Sequence, residues 1–221
     1  MNSHDFLDPI ILSIKVSAIA SVLVFVLAVL FSRWMAKAKF YGKNLVETLL
    51  LLPLVLPPTV VGFILLVALG RRSLIGEWYE KLFNGPILFT WGVAVIAAVV
   101  IAFPLAYRTM RAGFEEVDRN LEDSARAQGA TEWQVFRYIT MPLAAKTLTA
   151  GYILGFARAL GEFGATLMVA GNIPGRTQTI PTAIYIAVDG GNMRIVWLWV
   201  GIMTLLAFLM LLVANRFTRS D

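Results

Sequence analysis

Apolar positions in this chain come in long unbroken blocks rather than in the alternating pattern of strands. Five blocks are long enough to form helices that cross a bilayer core of about 30 Å. They cover residues 9–31, 48–69, 88–107, 148–170 and 195–213. A sixth apolar stretch, Ile180 to Val188, is too short to count as a span. The pattern predicts an all-α polytopic membrane protein, a single transmembrane domain over residues 1–221 with about five membrane helices. A short interfacial helix is expected around Trp78 and Tyr79, in the loop after the second block.

Small details within the blocks sharpen this. The second block reads LLLPLVLPPTVVGFILL. Pro53, Pro57 and Pro58 remove backbone donors, so a bent helix is predicted, tolerated only where protein or water satisfies the freed carbonyls. In the fourth block Gly151, Gly155 and Ala159 recur every four residues, a face suited to close helix packing.

The long polar interruption, residues 108–146, predicts helix, glycine turn, helix. Leu121 to Gln128 has helical periodicity with Leu121 and Ala125 on one face, and Gly129 interrupts it. Thr131 is placed to cap a second short helix, which Pro142 is expected to stop. An ordinary solvated loop is the alternative. Phe114, Val117, Trp133, Phe136 and Tyr138 argue against it, because so many large apolar groups call for a partner surface.

Composition agrees with the pattern. The chain is 58% hydrophobic and 15% charged, against about 25% charged in soluble domains. Cysteine is absent, which excludes disulfides and thiolate metal sites. The N-terminal MNSHDFLDP lacks the basic start of a signal peptide, so the first block is expected to be retained.

The net charge of +5 reflects topology rather than nucleic-acid binding. Five spans put twelve basic residues on one side: Arg33, Lys37, Lys39, Lys43, Arg108, Arg111, Arg119, Arg126, Arg137, Lys146, Arg216 and Arg219. The other side has five: Arg71, Arg72, Lys81, Arg176 and Arg194. Positive charge favours the cytoplasm. The N-terminus is then outside, and the polar knob and C-terminus are inside.

Arg158 and Glu162 are the charged pair of the fourth block, spaced to share a helix face. Ionisable groups inside a membrane are functional candidates, and an internal ion pair that fixes packing is an equal reading. Pro57-Pro58-Thr59 is either the bend of a path-lining helix or a packing kink. Asn172 to Thr179 is either a contact for an external partner or a plain loop. The only histidine is His4, so metal ligation and His-based catalysis lack material. The phosphate-binding pattern GxxxxGK[ST] is absent, so the chain does not hydrolyse ATP by that route.

The polar knob resembles the cytoplasmic coupling loop of type I binding-protein-dependent ABC importer permeases. That family's signature is Glu-Ala-Ala, three residues, Gly, nine residues, Ile, one residue, Leu-Pro. Here Asp123-Ser124-Ala125, Gly129, Ile139 and Met141-Pro142 keep the spacing, with Asp, Ser and Met standing for Glu, Ala and Leu. RALGEFGATLMVAGNIPGRTQTIP and LPLVLPPTVVGF are similar to the molybdate branch, close to its sulfate relatives.

The resemblance implies ATPase coupling by Glu122, Asp123, Ser124, Ala125, Gly129, Ala130, Phe136, Ile139 and Pro142. It implies a translocation path or gate at Pro57, Pro58, Thr59, Arg158, Glu162 and Gly164, and binding-protein contact at Asn172, Pro174 and Arg176. A permease homodimer, two ATP-binding subunits and an extracytoplasmic oxyanion-binding protein are the implied partners, in the plasma membrane of a prokaryote. ATP and Mg would be used by the ATPase subunits, with no cofactor on this chain. Molybdate is the implied cargo, with tungstate its chemical neighbour. A sulfate-type importer is the alternative, and a proton-coupled transporter using Glu162 is another.

Overall fold

A computed structural model describes residues 3–218. Among them are eleven α-helices and no strand. They are α1 (Ser3–Lys37), α2 (Lys43–Val55), α3 (Pro58–Leu69), α4 (Leu74–Phe83), α5 (Trp91–Glu115), α6 (Arg119–Ala127), α7 (Glu132–Val135), α8 (Met141–Leu160), α9 (Gly164–Ala170), α10 (Ile180–Asp189) and α11 (Met193–Thr218). A five-residue π-helical segment, Phe136–Thr140, joins α7 to α8. Arg219, counted above, lies outside the described residues.

Three helices are long and apolar enough to cross a membrane unaided: α1, α5 and α11. Two bent pairs, α2 with α3 and α8 with α9, bring the number to as many as five. Helix α5 is the central post, with 61% of its most apolar window buried, against 39% for α1 and 11% for α11. Its inner face is built from Val93, Ala94, Ala97, Ala98, Ile101, Ala102 and Ala106. Small side chains let α1 and α8 approach closely, which is how helices gain packing energy in lipid. The small face of α8 meets this post as its spacing predicts. A Cβ on Gly151 would lie 2.6 Å from Met110 Cγ, and one on Gly155 would lie 3.2 Å from Ala106 Cβ and Val24 Cγ1.

The second predicted span is broken rather than bent. Helices α2 and α3 differ in direction by 113°. Leu56 is extended (φ −69°, ψ 143°) because a following proline disfavours the helical region. Pro58 then occupies the first turn of α3, where its missing N–H costs nothing. The fourth span is also broken. Helix α8 ends at Leu160, and α9 starts at Gly164 after a 55° change of direction. Arg158 and Glu162 are therefore not on one helix, as the sequence had suggested.

Pro142 does not stop its helix. The chain stays helical from Glu132 to Leu160. A proline ring clashes with the carbonyl four residues back. Here the backbone ahead of it is widened to the π form, and Met141 N–H donates to Phe136 O, five residues back. The stretch Ile180 to Val188 is helical too. As α10 it packs on α11 and α1, with Ile180, Thr182 and Ala183 buried. Ile180 N–H donates to Ser13 Oγ at 2.7 Å, and Trp199 Nε1 donates to Phe6 O at 3.2 Å. These contacts tie the first part of α1 to the start of α10 and to α11. The interfacial helix expected near Trp78 is α4, with Ser73 as its N-cap, accepting from Gly76 N–H at 2.9 Å. Leu74, Ile75, Trp78, Leu82 and Phe83 are exposed on it.

The knob lies at the end of the bundle reached by the C-terminal end of α1, through Lys37. Lys15 stands 3.8 Å over the Trp91 ring at the other end of the same bundle.

Candidate functional site

The knob is the most connected polar region. Asp118 caps α6 by accepting from Asn120 N–H at 2.9 Å. Gly129 ends the helix with φ +89°, a conformation glycine reaches without steric cost. Ala130 N–H bonds back to Ala125 O at 3.0 Å, satisfying a terminal carbonyl. Thr131 caps α7 as predicted and forms a reciprocal box with Gln134: Thr131 N–H donates to Gln134 Oε1 at 2.8 Å, and Gln134 N–H donates to Thr131 Oγ1 at 3.3 Å. Arg126 bridges the turn, reaching Asp123 at 2.6 Å and Glu132 at 2.5 Å.

The buried face of α6 is not the one the hydrophobic pattern selects. Leu121 is 48% exposed, while Glu122 is 3% exposed. The Glu122 carboxylate accepts from Lys37 Nζ and from Thr140 Oγ1, the latter at 2.6 Å. Arg126 Nη2 lies 3.4 Å from the same carboxylate. Burial acts to raise the Glu122 carboxyl. The hydrogen bonds from Lys37 and Thr140 and the lysine's charge outweigh it and hold the group below the usual carboxylate range. Glu132 is held low as well, chiefly by its hydrogen bond from Arg126. Arg33 adds a second link, its guanidinium 3.9 Å from the Phe136 ring. Lys37, Arg33, Thr140 and Arg126 were not among the residues singled out from the sequence. Lys37 and Arg33 had entered only as topological charges, and nothing local joins them to residues about a hundred positions away.

Of the other motif residues, Asp123 and Ser124 are exposed, and Pro142 is exposed past the π segment. Ala125, Gly129, Ala130 and Ile139 line one surface groove of about 390 Å³ with Val135 and Tyr138. Tyr138 in it is 73% exposed, while Trp133, 67% exposed, lines a separate cavity with Arg33, Trp34 and Lys37 of α1. Phe114 is buried in the chain's own core, and Val117 and Phe136 are half-buried against it. The apolar groups left for a partner are thus fewer than the sequence suggested: Tyr138 at the groove and Trp133 on the side facing α1.

The second region is where α3 and α9 begin. Gly164 faces Pro58 and Thr59, with a Cβ there 3.1 Å from Pro58 Cβ. A Cβ on Gly62 would lie 2.8 Å from Ala165 Cα, so α3 and α9 touch nearly backbone to backbone. Arg158 Nη1 reaches Glu162 Oε2 at 2.9 Å, and Glu162 Oε1 accepts from Ala165 N–H at 2.8 Å. Pro57, Pro58, Thr59, Arg158, Glu162 and Gly164 therefore belong to one neighbourhood at the two helix breaks. Thr59 is exposed beside it.

The loop 171–179 is folded on itself. Arg176, Thr177 and Gln178 N–H groups all point to Ile173 O, and Ile173 N–H donates to Thr177 Oγ1 at 3.0 Å. Pro174 and Arg176 are exposed at its tip, whereas Asn172 is half-buried.

Comparison with known proteins places this geometry. The profile of the family described as "Binding-protein-dependent transport system inner membrane component" matches residues 11–220. The permease protein YvgM of Bacillus subtilis (strain 168), named for a molybdenum transport system, is 51% identical over 96% of this chain and 93% of its own length. The molybdenum transport system permease protein ModB of Escherichia coli (strain K12) is 46% identical over 83% of this chain and 81% of its own. Among solved structures, a bacterial ABC transporter involved in import of the acidic polysaccharide alginate superposes with a TM-score of 0.80 at 17% identity. It covers 99% of this chain and 80% of the other, and at that identity the likeness speaks for the fold. By sequence and by fold, the chain belongs to the binding-protein-dependent transport inner membrane component family.

Proposed function

We propose that this chain is the membrane-spanning subunit of an ATP-driven importer that carries molybdate into the cytoplasm. The observation that carries the reading is the knob: a capped, salt-bridged helix–turn–helix at one end of the bundle. Its groove gathers Ala125, Gly129, Ala130 and Ile139 beside exposed Tyr138. ATP-binding subunits are the partners proposed for that groove. Two copies of the chain enclose the path, and an oxyanion-binding protein delivers cargo to the opposite face near Pro174 and Arg176. The twelve-to-five division of basic residues supports a cytoplasmic knob. Molybdate as cargo is supported by the named roles of the relatives at 46–51% identity.

A proton carrier at Glu162 is disfavoured by its bonding. Both carboxylate oxygens are engaged, one by Arg158 and one by the α9 backbone. The test is uptake by vesicles containing the complex purified from its host with its binding protein. Molybdate and tungstate uptake should require internal ATP and resist an uncoupler. Preference for sulfate would remove the cargo assignment, and ATP-independent uptake abolished by the uncoupler would overturn the importer reading.

A further inference from the structure

The resemblance named Glu122, which precedes the signature's Asp123, for ATPase coupling, but at 3% exposure it has no face to offer a partner. What it touches is α1. Lys37 lies in the last turn of α1, 85 residues earlier in the chain, and its ammonium donates to Glu122 Oε2. Thr140, in the π segment that leads into α8, donates to Oε1. One buried carboxylate therefore joins three elements: α6 of the knob, the cytoplasmic-side end of α1, and the root of α8. Arg33, one turn before Lys37 on α1, lies over Phe136 of the same π segment. The knob is covalently continuous with α5 on one side and α8 on the other, whereas α1 meets it only through side chains. Without the clamp, the end of α1 would follow the knob only through its packing on α5 and α8.

We infer that Glu122 is a positioning residue that makes the end of α1 move with the knob, so that a partner's push reaches α1 directly and not only through α5 and α8. This rests on the proposed coupling role of the knob. The carboxylate suits the task because a half-broken buried network is costlier than an intact one. Separation from Lys37 would leave a buried charge with only hydroxyl and distant guanidinium support. Asp123, exposed at the next position, is left as the acidic group that a partner can reach.

The test uses the cysteine-free chain. Spin labels at Lys39→Cys and Asn120→Cys report the distance between α1 and the knob. In the native complex that distance should be the same in nucleotide-free and ATP-trapped states. Glu122→Gln and Lys37→Met should each let it change. Each should lower uptake per ATP hydrolysed by about tenfold, within the 5–150-fold range of coupling between sites. The double variant should be no worse than the single ones, and the ATPase subunits should still co-purify. A distance that changes between the native states would overturn the clamp, as would native uptake per ATP in Glu122→Gln. Loss of ATPase from Glu122→Gln at an unchanged distance would make Glu122 a partner contact instead. Should no ATPase accompany even the native chain, the importer reading fails. The label distance in the isolated native and Glu122→Gln chains then still decides the clamp: equal distances overturn it.

Discussion

Arg158 and Glu162 pair across a helix break rather than along a helix. The guanidinium belongs to the last turn of α8, and the carboxylate lies beyond the helix end and also receives Ala165 N–H at the start of α9. One acidic side chain thus neutralises a charge within the fourth broken span and caps the helix that continues it.

The first prediction follows from this double role. Neutralising Arg158 alone strands a buried carboxylate, and neutralising Glu162 alone strands a guanidinium. An unpaired charge at mid-membrane costs about 2.5–3.5 kcal/mol on insertion scales. The Arg158→Met, Glu162→Gln double variant should therefore be more stable than either single variant in a thermal assay of detergent-solubilised protein. Glu162→Ala should be worse than Glu162→Gln, because it also removes the acceptor for Ala165 N–H. Additive losses in the double-mutant cycle would reject the pairing.

Gly129 supplies the second. Its φ of +89° is disfavoured for any side chain, while a Cβ there would meet nothing within 4 Å. The penalty of substitution is therefore backbone strain of about 1–3 kcal/mol, not an internal clash. Gly129→Val should leave membrane abundance near native, because the spanning helices do not depend on the turn. ATPase co-purification or uptake per ATP should fall. Gly129→Ala should show the same defect in milder form, since it lacks the branched side chain. Full transport by Gly129→Val would exclude the knob as the coupling element.

Two carboxyls in the knob, Glu122 and Glu132, titrate below their ordinary value. A depressed folded-state value means that their stabilisation is complete above the ordinary range, about 4.3 for Glu. It is lost as pH falls through the depressed value. The distance between labels at Lys39→Cys and Asn120→Cys should stay constant from pH 8 to about pH 5 and widen below about pH 4. In Lys37→Met the acid step should be much reduced. A change centred near neutral pH would point to other groups.

Sidedness gives the fourth prediction. Pro174→Cys, at the tip of the folded loop, should react with an impermeant thiol reagent added to intact cells. Asn120→Cys, on the knob, should react only after the cells are opened. The reversed pattern would overturn the charge-based orientation.

What could be read from the sequence was what is encoded over a few residues. Thr131 as a cap, Gly129 as a turn and the Gly151–Gly155–Ala159 face depend on spacing within one or two turns, and each stands as read. Pro57 and Pro58 announced a disruption but not its size, because the 113° break is set by packing of α3 on α9 through Gly62 and Ala165. Hydrophobic periodicity marked the Leu121–Ala125 face of α6 as the packing face, yet Leu121 is exposed and Glu122 is buried. That rule fails where the buried partner is an ammonium group from a distant helix. Pro142 was expected to end a helix. The lost bond is instead absorbed by the five preceding π residues, a backbone adjustment with no signature in side-chain periodicity.

That absorption has a mechanical consequence. Because no stop occurs at Pro142, the helix that begins beside the groove at Glu132 runs unbroken to Leu160, the edge of the break at Gly161. Its 29 residues from Glu132 to Leu160 make a rod about 43 Å long at about 1.5 Å per residue. Tilting such a rod by about 10° about its middle would displace each end by about 4 Å, in opposite directions, for a rod of that length. The knob and the Arg158–Glu162 junction are the two ends of one lever, and its length fixes the gain between them.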